Sequence, residues 1–490
     1  MKQSKPALWI CFALFVVCYT ASASLAAARI PAWMDEVLTL WAIRLPSAAD
    51  VYSALAHGSE FSPPVYLVAL HYYMKLAGGS LLALRLPSIA AALVTGGCTF
   101  ALLNRHLGLA RACFGSCLVL ESVYNYAVQM RPYSAVTAVF ALALLLWDSL
   151  NRKPAWWRSV LIGLLLALAI SMHFYAVLFV VCMGLIELLF TFHTRKVRFV
   201  QWCALTAAGA SILIWLPLIH ASGQYAANDS NGLVYYARPL LFSLVWAYTH
   251  LFLDGYWVIL PLLAAFVTVL IGRALNYSDD IEEQPVDRDQ AGLTSIVLGL
   301  LLLPLLVFLF SKAVTKTFNE RYLLATVIGS GALIAASIPP TAFFRRMAPL
   351  ILLFATFLTL NHTHTAPKRD ESFASHVPGQ YPIVVADGLQ YFPLAEGARS
   401  EIKPRIAYMT LPEGTPSGDL TNEHQIERWK AINPNLFVED AERFLRENAN
   451  FYVVDMQTSD DTPAHYLLEK HRIELIDQVG NTLIYKSRVP

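Results

Sequence analysis

The chain has 490 residues, 56% of them hydrophobic and 14% charged, with a mean hydropathy of +0.49. Soluble domains carry about 25% charged residues, so the composition excludes a wholly soluble protein and identifies an integral membrane one. A formal net charge of +1 excludes the basic excess of a nucleic-acid binder, and the seven cysteines all fall in apolar segments, which argues against disulfides, a CxxC metal site and thiol catalysis.

The first apolar segment, Ala7 to Ala28, carries no charge, and a helix of that length at 1.5 Å rise per residue matches a hydrocarbon core of about 30 Å. Lys2, Lys5 and Ala21-Ser22-Ala23 also resemble a cleavable signal peptide. The apolar run is longer than the usual h-region of about 7–15 residues, so an uncleaved anchor is expected. Directly after it comes Ala32-Trp33-Met34-Asp35-Glu36, which puts Asp35 at the water boundary, where a carboxylate can stay ionised and take a proton beside a lipid-borne substrate. The same position suits a carboxylate that only caps the helix continuing through Trp41.

Residues 29–83 form a first outer loop in which Pro63-Pro64 opens the amphipathic run Val65 to Leu76, closed by Gly78-Gly79. That run is too short to span and suits an interfacial helix, with Pro64 at its start and Tyr72-Tyr73 at headgroup level. Leu240–Gly255 suits the same role. Further spans are expected at Leu84–Leu103, Ala112–Val128, Tyr133–Leu150, Val160–Ile170, Tyr175–Phe192, Val200–Ile219, Trp257–Leu275, Leu293–Phe310, Tyr322–Ile338 and Met347–Leu360, about eleven in all. Lys and Arg concentrate in alternate loops, at Lys2/Lys5, Arg105/Arg111, Arg152/Lys153/Arg158, Arg195/Lys196/Arg198, Arg273/Arg288 and Arg345/Arg346. The positive-inside rule makes these cytoplasmic, together with the acidic loop Asp279–Asp289, and places the C-terminus outside.

After Asn361 the pattern becomes soluble and mixed. Strands are expected at Tyr381–Ala386, Arg405–Tyr408, Asn450–Val454 and Thr482–Tyr485, and helices at Glu423–Ala431, Glu439–Glu447 and Ala464–Lys470. Residues 362–490 are enough for a separate extracytoplasmic α/β domain.

Within the spans, Glu121 falls near mid-depth and Asp148 and Glu187 nearer the inner side. Ionisable groups at such depths are either functional or satisfied inside the bundle.

Asp35-Glu36 after the first span, Ser62-Pro63-Pro64-Val65-Tyr66, Leu84-Arg85-Leu86-Pro87-Ser88, Gln129-Met130-Arg131-Pro132-Tyr133 and Glu320-Arg321-Tyr322-Leu323 follow one another on the outer side. In that order and placement they resemble the membrane glycosyltransferases of the GT-C fold, and within them the bacterial aminoarabinose transferases and protein O-mannosyltransferases, the dolichyl-phosphate-mannose-protein mannosyltransferase family. The resemblance implies a transmembrane glycosyltransferase domain over 1–361, and transfer of a monosaccharide from a polyprenyl-phosphate donor to an acceptor hydroxyl at the outer face of the cell's inner membrane. On that reading Asp35 and Glu36 are the catalytic candidates. Arg131, Arg321, Arg85 and Lys75 would meet the donor phosphate, since an anionic phosphodiester calls for cations near the interface. The bland reading of these four is snorkelling. Tyr66, His71, Tyr133, His173 and Tyr322 would line the donor and acceptor pocket. Adjacent Asp35 and Glu36 diverge on a helix and make no chelate by themselves, so no metal ligand is assigned and a divalent cation stays open.

The expected mechanism is a single inverting displacement with Asp35 as general base, while a nucleophilic role for Glu36 with retention stays open. The alternatives are a lipid-linked sugar transporter or flippase, which would place its site at the midplane and often within repeats, and a non-catalytic envelope assembly subunit. The expected partners are the sugar donor, an acceptor not specified by the sequence, and membrane lipids, without nucleic acid.

Overall fold

The structure is a computed structural model, and it describes residues 4–230, 238–253, 288–361, 371–412, 421–456 and 463–488. The span expected at Trp257–Leu275 and most of the loop Asp279–Asp289 lie outside the described residues. Among the described residues, seven helices are long and apolar enough to cross a membrane, running within Lys5–Arg29, Leu81–Leu107, Tyr133–Arg152, Phe174–Thr194, Phe199–Tyr225, Ala291–Thr315 and Ala342–Asn361. Two shorter apolar helices, Trp156–Met172 and Thr326–Ser337, join them. The protein is a multi-pass membrane protein.

The expected span at Ala112–Val128 is broken: a helix over Leu109–Ser122 gives way to the short helix Tyr124–Ala127. That expected at Tyr322–Ile338 begins with a separate 3₁₀ turn, Glu320–Leu323, before Thr326–Ser337.

The chain forms two compact units. The first unit comprises Met1–Arg29, Tyr73–Trp215 and Ala237–Ala366 and holds the candidate spans, except that Phe199–Tyr225 continues past Trp215 into the second unit. Its core is packed around Phe140, Trp147, Phe179, Leu300 and Leu323. Small residues let backbones approach: a Cβ on Gly331 would come 3.1 Å from the Gly115 carbonyl oxygen, and one on Gly163 would come 2.9 Å from that of Ala204, the close packing that membrane helices use in place of a hydrophobic drive.

Carboxylates deep in this unit are satisfied there. Asp148 accepts from Arg105 at 3.0 Å and pairs with His106 at 2.7 Å. Glu187 accepts from Trp147 Nε1 at 2.8 Å and pairs with Arg198. The Thr359 hydroxyl donates to Glu121, and Ser22 hydrogen-bonds Tyr124 at 2.8 Å and the Thr359 carbonyl at 2.9 Å. These bonds offset the cost of burying polar groups in an apolar bundle.

The second unit comprises Ile30–Tyr72, Leu216–Tyr236 and Pro367–Pro490. Its centre is a six-stranded sheet of order β3-β2-β1-β4-β6-β5, with β1 Ile383–Val385, β2 Ile406–Thr410, β3 Val438–Asp440, β4 Tyr452–Asp455, β5 Ile473–Val479 and β6 Thr482–Ser487. The first four pair in parallel, with Val384 beside Ala407 and Val453, while β6 runs antiparallel to β4 and closes a hairpin with β5. β1, β2 and β4 are buried throughout and largely apolar, as strands covered on both faces are, while β3 at the edge carries Glu439 and Asp440. The first outer loop contributes helices Met34–Ile43, Ala48–Ala56 and the greater part of Pro64–Ala77 to this unit.

Candidate functional site

In the membrane unit three irregular segments bring polar and aromatic side chains together. Arg131 precedes Pro132, which caps the Tyr133–Arg152 helix; proline holds the residue before it out of the helical region. His173 is extended (φ −158°, ψ 122°) in the turn between Trp156–Met172 and the 3₁₀ turn Phe174–Ala176. Arg321 is the second residue of the 3₁₀ turn Glu320–Leu323, and its backbone N–H donates to the side chain of the N-cap Asn319 at 3.2 Å. A fourth segment supports them: Ala291–Thr315 ends in a π-helical turn, Ser311–Thr315, followed by Lys316 at φ +58°. That wide turn holds Thr315 Oγ1 2.5 Å from the Tyr175 hydroxyl, which also donates to the Thr317 carbonyl at 2.7 Å.

The guanidinium carbons of Arg131 and Arg321 lie over the Tyr133 ring at 5.7 and 5.6 Å, and that of Arg321 is 5.7 Å from the Tyr322 ring as well. His173 meets Tyr133 at 5.5 Å and Tyr322 at 5.2 Å between ring centroids. Tyr175 and Tyr322 stack at 4.0 Å with 20° between planes. Desolvation by burial, then the charges of Arg131 and Arg321, push the His173 imidazole from 6.5 down to about 3. Both effects favour the neutral imidazole, in which one ring nitrogen can accept a hydrogen bond. Two cations, a neutral imidazole and stacked phenols on one patch can take an anion by charge-assisted bonds and a pyranose by its apolar face.

Arg131, Tyr133, His173, Arg321 and Tyr322 are thus gathered in one place. Tyr175, Tyr126 at 5.9 Å from Tyr133, and Thr315 complete the patch; an aromatic beside a span end reads as an interface anchor, which hides this role of the tyrosines from the sequence. Arg85 is fully buried and donates to the Ala27 carbonyl at 2.7 Å, tying two membrane helices. Lys75 is exposed near the end of Pro64–Ala77.

Asp35 and Glu36 lie in the first turn of Met34–Ile43, in the second unit. The N-cap is Trp33, without a side-chain cap bond, so the capping position is not Asp35's; its first-turn charge still favours the helix dipole. The side chains diverge as helix geometry requires, Asp35 half-buried and Glu36 fully buried. Tyr66 is buried in the same loop. His71 is buried too, its Nδ1 donates to the Ile43 carbonyl at 2.7 Å, and its Nε2 has no hydrogen-bond partner among the described residues. Among the described residues no three His, Cys, Asp or Glu side chains converge as metal ligands.

The chain combines a helical membrane unit with a second unit built on a six-stranded sheet, and its fold is the GT-C fold of the solved structures it resembles. Residues 62–220 match the family model described as dolichyl-phosphate-mannose-protein mannosyltransferase. Two crystal structures of ArnT from Cupriavidus metallidurans, one bound to undecaprenyl phosphate and one in the apo state, match at TM-score 0.57 over 98% of this chain and 98% of theirs, with 12% and 11% sequence identity. At such identity the likeness is one of fold. A comparison with curated protein sequences gives no match.

Proposed function

We propose that the chain moves a monosaccharide from a polyprenyl-phosphate donor to an acceptor hydroxyl at the outer face of the cytoplasmic membrane, with inversion. The observation that carries this reading is the pair of guanidinium groups over Tyr133 beside a neutral His173. The acceptor oxygen attacks the anomeric carbon as the bond from that carbon to the phosphate oxygen breaks. The acceptor proton goes to the Asp35 carboxylate, and the polyprenyl phosphate leaves with its negative charge stabilised by Arg131 and Arg321. The ArnT structure that shares the fold binds undecaprenyl phosphate, and a lipid of that kind supplies the leaving group here.

Asp35→Asn keeps size and polarity while removing the base. In cells lacking the protein and complemented with this variant, mass spectrometry of envelope glycolipids, glycans and glycoproteins should show the transferred sugar lowered by about 10²–10⁴-fold at normal expression. Full transfer in Asp35→Asn overturns the assignment. Glu36→Gln serves as the comparison, with a smaller loss expected because Glu36 is enclosed by protein.

A further inference from the structure

Within the second unit the helix that carries Asp35 is fastened to the C-terminal α/β domain by one carboxylate. Glu396, near the end of helix Gly388–Gly397, accepts from Trp41 Nε1 at 2.9 Å through one oxygen and from Arg44 Nη1 at 2.7 Å through the other. Trp41 is buried, its ring 5.5 Å from Phe392 and 5.4 Å from Trp429, so the domain holds it on two sides. A second fastening lies further along the loop, where Gln425 donates to the Ser59 carbonyl at 2.9 Å and Arg428 to the Gly58 carbonyl at 3.1 Å. Arg428 also lies over the Tyr225 ring at 4.8 Å.

We infer that Glu396 is a positioning residue for Asp35. A ten-residue helix is a stiff rod whose far end moves when its anchored end is released, and a misplacement of about 1 Å at a reacting group costs on the order of a hundredfold in rate. The two arms of the fork are unequal. Arg44 is largely exposed, and an exposed ion pair contributes little. The Trp41 bond is charge-assisted and sheltered, so it carries the orientation. This inference rests on the proposed role of Asp35.

The test compares Glu396→Ala, Glu396→Gln and Trp41→Phe in the full-length chain. Three readouts are followed: amide hydrogen exchange over residues 34–43, binding of undecaprenyl phosphate, and sugar transfer in complemented cells. Glu396→Ala should speed exchange over 34–43, leave exchange over β1 and β4 and undecaprenyl-phosphate affinity unchanged, and lower transfer roughly ten- to a hundredfold. Glu396→Gln, which keeps an oxygen for Trp41, should restore most of the transfer. Trp41→Phe, which keeps the ring contact and loses only the donor, should share the exchange and transfer defects if Glu396→Ala fails to fold. Unchanged exchange over 34–43, or faster exchange with full transfer, overturns the inference. Full transfer in Asp35→Asn, by contrast, overturns the proposed function and leaves the exchange result standing.

Discussion

Tyr133 serves two cations, and that sharing decides how its neighbours respond to substitution. On the proposed contact between Arg321 and the donor phosphate, Arg321→Ala should weaken undecaprenyl-phosphate binding by about 1.5–3 kcal/mol, measured on purified protein. Arg321→Lys should recover only part of that, because a point charge replaces a planar group that lies over Tyr133 and Tyr322 and has the fork geometry for bidentate bonding. His173 gives a pH signature. Its folded value of about 3 lies below the ordinary 6.5, so the unfolded chain takes up the proton first and stability falls as pH drops from 6.5 toward 3. His173→Gln should flatten the decline of thermal stability between pH 6.5 and 4; an unchanged slope would show that His173 is not the group responsible. Arg131, Tyr133, His173, Arg321 and Tyr322 are legible in the sequence because each sits in a short polar break between apolar runs. Tyr175 and Thr315 are not, because their meeting depends on a π-helical turn that no residue type announces. Glu396 is hidden for the same reason: its partners lie in a loop far away in sequence, and pairing across such a distance leaves no periodic trace.

At the scale of elements, the expected strands Tyr381–Ala386, Arg405–Tyr408, Asn450–Val454 and Thr482–Tyr485 overlap β1, β2, β4 and β6, with bounds that differ by at most two residues, since buried strands read as dense apolar runs. The edges of the sheet were harder to read. Val438–Asp440 is β3, although Glu439-Asp440 suggested the start of a helix, and the helix runs over Ala441–Glu447 instead. Asp440 is its N-cap, accepting from the Arg443 N–H at 2.9 Å. β5, with Glu474, Asp477 and Gln478 among its residues, is mostly accessible, and an edge strand with such composition lacks the apolar alternation that would mark it. The helix Thr421–Ile432 contains a titratable feature of its own. Burial, opposed by the bond from the Leu411 N–H and reinforced by Glu427, raises the Glu423 carboxyl to about 7. A folded value above the unfolded 4.5 means that stability is full below that pH and is lost as pH rises through about 7. Glu423→Gln keeps an acceptor for Leu411, so it should raise the melting temperature at pH 8 more than at pH 5; equal shifts at both would refute the burial argument.

For the whole molecule, helices are legible from apolar length while breaks are not: Leu109–Ser122 and Tyr124–Ala127 are separated at Val123 (φ −93°, ψ 0°), with neither Gly nor Pro at the break. The Lys and Arg asymmetry of the loops predicts that reporters fused after Leu107 and Thr194 are cytoplasmic and that one after Gly397 is external. A cytoplasmic signal from the last would overturn the orientation on which the proposed outer-face reaction rests.

The division of the second unit into three stretches of chain also sets an order of events in the cell. Trp41 leaves the ribosome well before its partner Glu396, which follows 355 residues later. At about 5–20 residues per second, synthesis leaves the first loop without its cover for roughly 20–70 s. During that interval the apolar surface of Trp41 has no Phe392 or Trp429 to rest against. Nascent chains stopped before residue 371 should therefore be cut by protease within residues 34–60, and full-length chains should resist, which makes completion of the C-terminal domain the step that matures the loop.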